Sequence, residues 1–143
     1  MINLSLQVFC DRVVNAGRIT AEDVTALVRH VLPEGLTNRD EADMLIALDR
    51  VATADTAFGD YLVASVVDFA VWGTRPTGYI DAEMARWLVA SLRNGSGPTP
   101  LAARIAREVV REAQASDEAL IAFALEANRR AASAAAMPLR LAA

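Results

Sequence analysis

Residues 56–72 read TAFGDYLVASVVDFAVW, and this stretch decides the fold. Phe58, Tyr61, Leu62, Ser65, Val66, Phe69 and Trp72 recur at helical spacing, and Val63, Val67, Ala70 and Val71 carry the apolar surface further round the axis. A surface helix keeps one polar face, so a helix this apolar is expected to be covered on most of its circumference. The expectation is an all-α fold: a compact single-domain bundle of about seven helices around a buried central helix, residues 56–72.

Working outward, the 143 residues suit one domain. With 54% hydrophobic and 22% charged residues the chain reads as globular rather than disordered. All 14 basic residues are arginine, so any cationic work falls to guanidinium groups. The net charge of −4 is unevenly spread: residues 1–72 hold 11 acids and 5 arginines, residues 73–143 hold 7 acids and 9 arginines. Opposite charge of this kind can help two halves pack or leave a dipolar surface for a partner, and packing is the simpler reading. Cys10 is the only cysteine, which excludes an intrachain disulfide and a cysteine-based zinc site. The start of the chain lacks the basic and apolar regions of a signal peptide. Asp60 and Asp68 break the best apolar run, so a soluble cytoplasmic protein of bacterial type, with no membrane insertion, is expected.

Taken in order, Asn3 or Ser5 caps a first helix that ends at Gly17. Thr20 has the form of an N-cap, with Glu22 and Asp23 in the first turn and Ile19 and Val24 placed as a hydrophobic staple. The helix it opens points Val24, Leu27, Val28 and Val31 inward and stops before Pro33. Thr37, with Asp40 three residues on, opens a third helix to about Thr53, lined by Met44, Leu45, Leu48 and Val51. Asp55 or Thr56 caps the helix of the opening stretch. The turn-rich connection from Gly73 to Ile80 divides the chain into halves 1–72 and 78–130. Asp81 caps a fifth helix, Thr99 with Pro100 starts a sixth, and Ser116 starts a seventh carrying Leu120, Ile121, Phe123, Ala124 and Ala127. The tail, residues 131–143, either prolongs that helix until Pro138 or frays, its last few residues above all.

The segments GRITAE at Gly17 and GYIDAE at Gly78 share glycine, isoleucine, alanine and glutamate at an offset of 61, and Leu27-Val28 matches Leu88-Val89 at the same offset. A slip of one residue then aligns Thr37 with Thr99. Either the halves are a duplication, or glycine, apolar residue, cap and glutamate is simply how helices begin.

The pattern EADMLIALDRVATADTAFGDYLVASVVDFAVW, followed by GYIDAEMARWLV, resembles the helical units of the TerB-like (tellurite-resistance) superfamily over about residues 36–125. The resemblance implies a compact all-α fold with related halves, a link to stress response, and for some members metal binding through acidic residues. NGSGPTPLAARIARE stands where the family's acidic turn would be sought.

Asp60 and Asp68 lie two helical turns apart, and carboxylates on a covered helix need a partner, either an arginine or a cation. They join Asp40 and Glu41 as the candidate metal ligands, although the acidic third helix lacks the alternating oxygen ligands of a calcium loop. His30 is the only histidine, which leaves no Ser-His-Asp arrangement with a spare base, and no phosphate-loop, dinucleotide, nucleophile-elbow or zincin motif occurs. No catalytic residue and no cofactor are therefore expected, and the chain reads as a non-enzyme. Arg104, Arg107 and Arg111 form a stripe that could meet phosphate, but Glu108 and Glu112 lie within reach and the chain is acidic, so nucleic acid is not the expected partner. Trp72, Tyr79 and Trp87 cluster around the central connection, as a core plug or as a contact site for another protein. The functional expectation is a helical module that works through a protein partner or as a homodimer. The alternatives are a TerB-like metal- or stress-associated protein, and a nucleic-acid-associated regulator using the arginine stripe.

Overall fold

A computed structural model describes the backbone of residues 3–95 and 97–142 and the side chains, Ser96 apart, as far as residue 134. Over the described residues it is all-α, with seven α-helices. The chain divides into two compact units, 1–69 and 70–143. The division falls inside a helical turn rather than in the connection from Gly73 to Ile80.

In the first unit, α1 (Leu4–Ala16) begins at Asn3, whose side chain accepts from the Leu6 N–H at 3.0 Å. It ends at Gly17, which sits in the left-handed region with φ 76°. Thr20 caps α2 (Ala21–Ala26), as the sequence predicts, and forms a full capping box with Asp23. α2 then widens into a π-helical turn, Leu27–Val31, closed by the Leu32 N–H on the Leu27 carbonyl at 2.8 Å. The extra residue per turn rotates the side chains of this segment relative to α-helical spacing, so Leu27 is buried whereas Val28, expected inside, is half exposed. α3 (Arg39–Val51) is capped by Asn38 and not by Thr37; its buried face is Ala42, Leu45, Ile46 and Leu48, while Val51 is exposed. Two short parallel strands, which helical periodicity does not announce, join β1 (Arg18–Ile19) to β2 (Thr53–Ala54). The Thr53 and Asp55 N–H groups each donate at 3.0 Å to the carbonyls of Gly17 and Ile19.

α4 (Thr56–Val67) corrects the reading of the opening stretch. Phe58, Leu62, Val63 and Val66 are buried, but Thr56, Asp60, Ala64, Asp68 and Trp72 are all exposed. These five recur every four residues, which is one stripe on a helix. The helix is a one-sided element with a wet face, not a rod enclosed on all sides. Asp55 precedes it without a side-chain cap bond, and its carboxylate instead accepts from the Ala21 N–H at 3.2 Å. A second π-helical turn, Asp68–Trp72, comes next.

In the second unit, α5 (Ala82–Arg93) is capped by Asp81, which accepts from the Met84 N–H at 2.8 Å, and buries Met84, Ala85, Leu88 and Leu92. α6 (Pro100–Glu112) is capped by Thr99 with Pro100 in the first turn, and buries Ala102, Ala103, Ile105, Ala106 and Val109. α7 (Glu118–Ala142) starts one residue later than expected: Asp117, not Ser116, accepts from the Ala119 N–H at 3.0 Å. It packs along α6 and α5 and buries Leu120, Phe123, Ala124 and Ala127, whereas Ile121, expected inside, is partly exposed. Its backbone stays helical to Ala142, so the tail prolongs the helix rather than fraying, in keeping with the alanine-rich composition. Residue 143 of that segment lies outside the described residues. β3 (Tyr79–Ile80) pairs in parallel with β4 (Ala115–Ser116). The Gly78 carbonyl accepts from both Gln114 at 2.7 Å and Ala115 at 3.4 Å, and the Asp117 N–H donates to Ile80 at 2.8 Å. Among the described residues no helix is long and apolar enough to cross a membrane.

Candidate functional site

The aromatic cluster of the sequence is split by the fold. Trp72 closes the second π-helical turn and is 40% exposed; Tyr79 opens β3 and is 49% exposed. Between them residues 73–77 are exposed, and the Gly78 N–H donates to the Val71 carbonyl at 2.7 Å, which clamps the ends of this loop. The clamp brings the backbones that bear the two rings together. Alternation along the strand turns Tyr79 outward and Ile80 into the core. Trp87, on α5 beside buried Leu88, is half-buried and reads as packing. Trp72 and Tyr79 are thus outside the core, and Trp87 is covered only in part.

The four acidic candidates do not converge. Asp40 is exposed in the first turn of α3, and Asp60 and Asp68 stand on the wet stripe of α4, where a carboxylate needs no cation. Glu41 alone is buried, at 6% exposure. Its Oε1 accepts from both the backbone N–H and the hydroxyl of Thr37 at 2.8 Å, and its Oε2 accepts from Asn3 Nδ2 at 2.9 Å. Burial pushes the Glu41 carboxyl up, but the bonds from Asn3 and Thr37 outweigh it, and the net shift is downward. Those three donors hold Glu41 as the tie between the starts of α1 and α3. Among the described residues no three His, Cys, Asp or Glu side chains are grouped to hold a metal ion. Nearby, the Tyr61 hydroxyl is buried without a hydrogen-bond partner.

The arginine stripe of α6 is not a free cationic edge. Arg107 and Arg111 both approach Glu108, at 3.3 and 3.6 Å, and Arg104 is half-buried. The second unit has a different cationic feature, which the sequence reading missed. A groove of about 320 Å³ is lined by Arg93, Pro98, Phe123, Glu126, Arg130 and alanines of α7. The Arg93 guanidinium lies 5.3 Å above the centre of the Phe123 ring. Glu126 takes Arg129 at 2.7 and 3.0 Å and Arg130 at 3.0 Å. The available signal was the small-residue row Ala119, Ala122 and Ala127 around Phe123, but only tertiary packing brings Arg93 over it.

No protein-family model, no curated protein and no solved structure matches this chain.

Proposed function

We propose that this chain is a non-enzymatic helical module that works in the cytoplasm through contacts with another protein, using the surface that Trp72 and Tyr79 present. The observation that carries this reading is the exposure of two large aromatic side chains at the clamped ends of one loop. Tryptophan and tyrosine are the side chains that most often dominate binding energy, because they bury much area for little lost conformational freedom. Holding the loop ends together lowers the ordering cost on binding. The lone unpaired cysteine suits a reducing compartment. In each unit a glycine of positive φ leads into a two-residue strand and then a capped helix, which supports reading the two as copies of one ancestral unit.

The test is a comparison of the tagged wild-type protein with a Trp72→Ala, Tyr79→Ala double variant, purified from the source cells. A protein that co-purifies with the wild type and is lost with the variant, while the helical spectrum of the variant is unchanged, supports the proposal. Identical co-purification by both proteins removes this surface from the function.

A further inference from the structure

The groove of the second unit has an apolar floor and a cation that is poised for a ligand. Arg93 projects from the last turn of α5, and its guanidinium lies over the Phe123 ring in cation–π contact, 5.3 Å from the ring centre, with N–H groups left to meet an acceptor. Among the described residues no carboxylate pairs with Arg93. Glu126 is shared by Arg129 and Arg130, so the neighbourhood of the groove carries more positive than negative charge. Along α7 the floor runs from Ala119 to Arg130, about 16 Å at the helical rise.

The chain itself carries a matching face. On α1, Leu4 and Val8 are 70% and 68% exposed, and exposed Asp11 stands at the next turn. Positions i, i+4 and i+7 share one side of a helix, so two aliphatic side chains and a carboxylate stand in a row about 10 Å long. Asp11 makes no ion pair among the described residues; the adjacent Arg12 turns to Asp23 at 3.0 Å. An apolar pair with an anion one turn on is what an alanine floor beside this guanidinium would select.

We infer that the α5–α7 groove receives α1 of a second copy of this chain, with Leu4 and Val8 on the alanine floor and the Asp11 carboxylate on Arg93. The contact joins two different surfaces, so it is head-to-tail, and copies add stepwise unless the rotation closes a ring. It uses neither Trp72 nor Tyr79 and stands apart from the function proposed above.

Sedimentation velocity of the full-length protein over a wide concentration range tests the inference. The wild type should gain mass with concentration, less so at high salt. Arg93→Glu and Asp11→Arg should each weaken self-association about tenfold or more, since each places like charges together. Mixing the two variants should restore association, because each still offers the surface that the other needs. Arg93 also packs on Phe123, so Val8→Glu, on the exposed face of α1, is the second probe and should weaken association without altering the helical spectrum. A wild type that stays monomeric, or a mixture of Arg93→Glu and Asp11→Arg that does not associate, overturns the assignment and leaves the groove to an acidic segment of another protein.

Discussion

Asn3 uses both ends of its amide: Oδ1 accepts from the Leu6 N–H at 3.0 Å, and Nδ2 donates to Glu41 Oε2 at 2.9 Å. One side chain thus caps α1 and ties it to the first turn of α3, 38 residues away in sequence. The other oxygen of Glu41 is held by Thr37, so the carboxylate joins two helix starts.

This tie makes stability depend on pH in a defined direction. The folded Glu41 titrates below its ordinary value of 4.5, so the ionised form favours the native state. Its contribution is complete above about pH 4.5 and fades as the pH falls through the lower, folded value. Glu41→Gln should cost roughly 1–3 kcal/mol at neutral pH, as expected for hydrogen bonds to a buried charge. Urea unfolding from pH 7 down to pH 3 should show the difference between wild type and variant shrinking with acidity. A constant difference would remove Glu41 as its source.

Gly17 and Gly78 both hold positive φ, 76° and 86°, but their surroundings differ. A Cβ at Gly17 meets nothing within 4 Å, whereas one at Gly78 comes within 3.3 Å of the Gln114 side chain. Gly17→Ala should therefore lose about 1 kcal/mol from backbone strain alone. Gly78→Ala should lose more, because the Gln114 side chain must also move. Thermal unfolding of the two variants gives the order directly, and equal losses would contradict it.

Tyr61 buries a hydroxyl that finds no partner. Burial pushes its titration up; the nearby Ser65 side chain, short of hydrogen-bond geometry, works against that, and the charge of Glu41 adds to it. Removing an unsatisfied buried polar atom relieves a desolvation cost, so Tyr61→Phe should be neutral or stabilising by up to about 1 kcal/mol. A clear loss in denaturant unfolding would show that the hydroxyl is bonded in solution.

Cys10 is half-buried, and burial, with help from the charge of Asp11, pushes its thiol up to about 11. Only the thiolate reacts, so at mildly alkaline pH the folded protein should be alkylated about 100-fold more slowly than a thiol at the ordinary value of 9.0. Asp11→Asn should recover part of that rate. Iodoacetamide labelling with intact-mass detection measures both, and a rate like that of the urea-unfolded chain would place Cys10 outside the protected site.

Much of the fold was legible because helix starts are local events. Thr20, Asp81 and Thr99 each cap the helix that the sequence assigns to them, because a short oxygen-bearing side chain need only reach an N–H two or three residues on. Where two caps compete, local rules did not decide. Asn38 took the start of α3, since Glu41 drew both donors of Thr37, and Glu41 is positioned in turn by distant Asn3. The candidate site was legible as residue types and not as faces. Trp72 and Tyr79 are outside and Trp87 is half inside, and nothing in their spacing separates them.

By itself the sequence determined that this chain is helical and where most helices begin. Tertiary structure decided which side of each helix is wet. The stretch 56–72 has apolar residues on several sides, so its composition could not choose a buried face. The choice came from α2 and α3 packing on one side and leaving Asp60, Ala64 and Asp68 to water. The π-helical turns, the paired strands and the cation–π contact of Arg93 with Phe123 have the same origin. Each depends on contacts between residues far apart in the chain, and a local pattern carries no record of them.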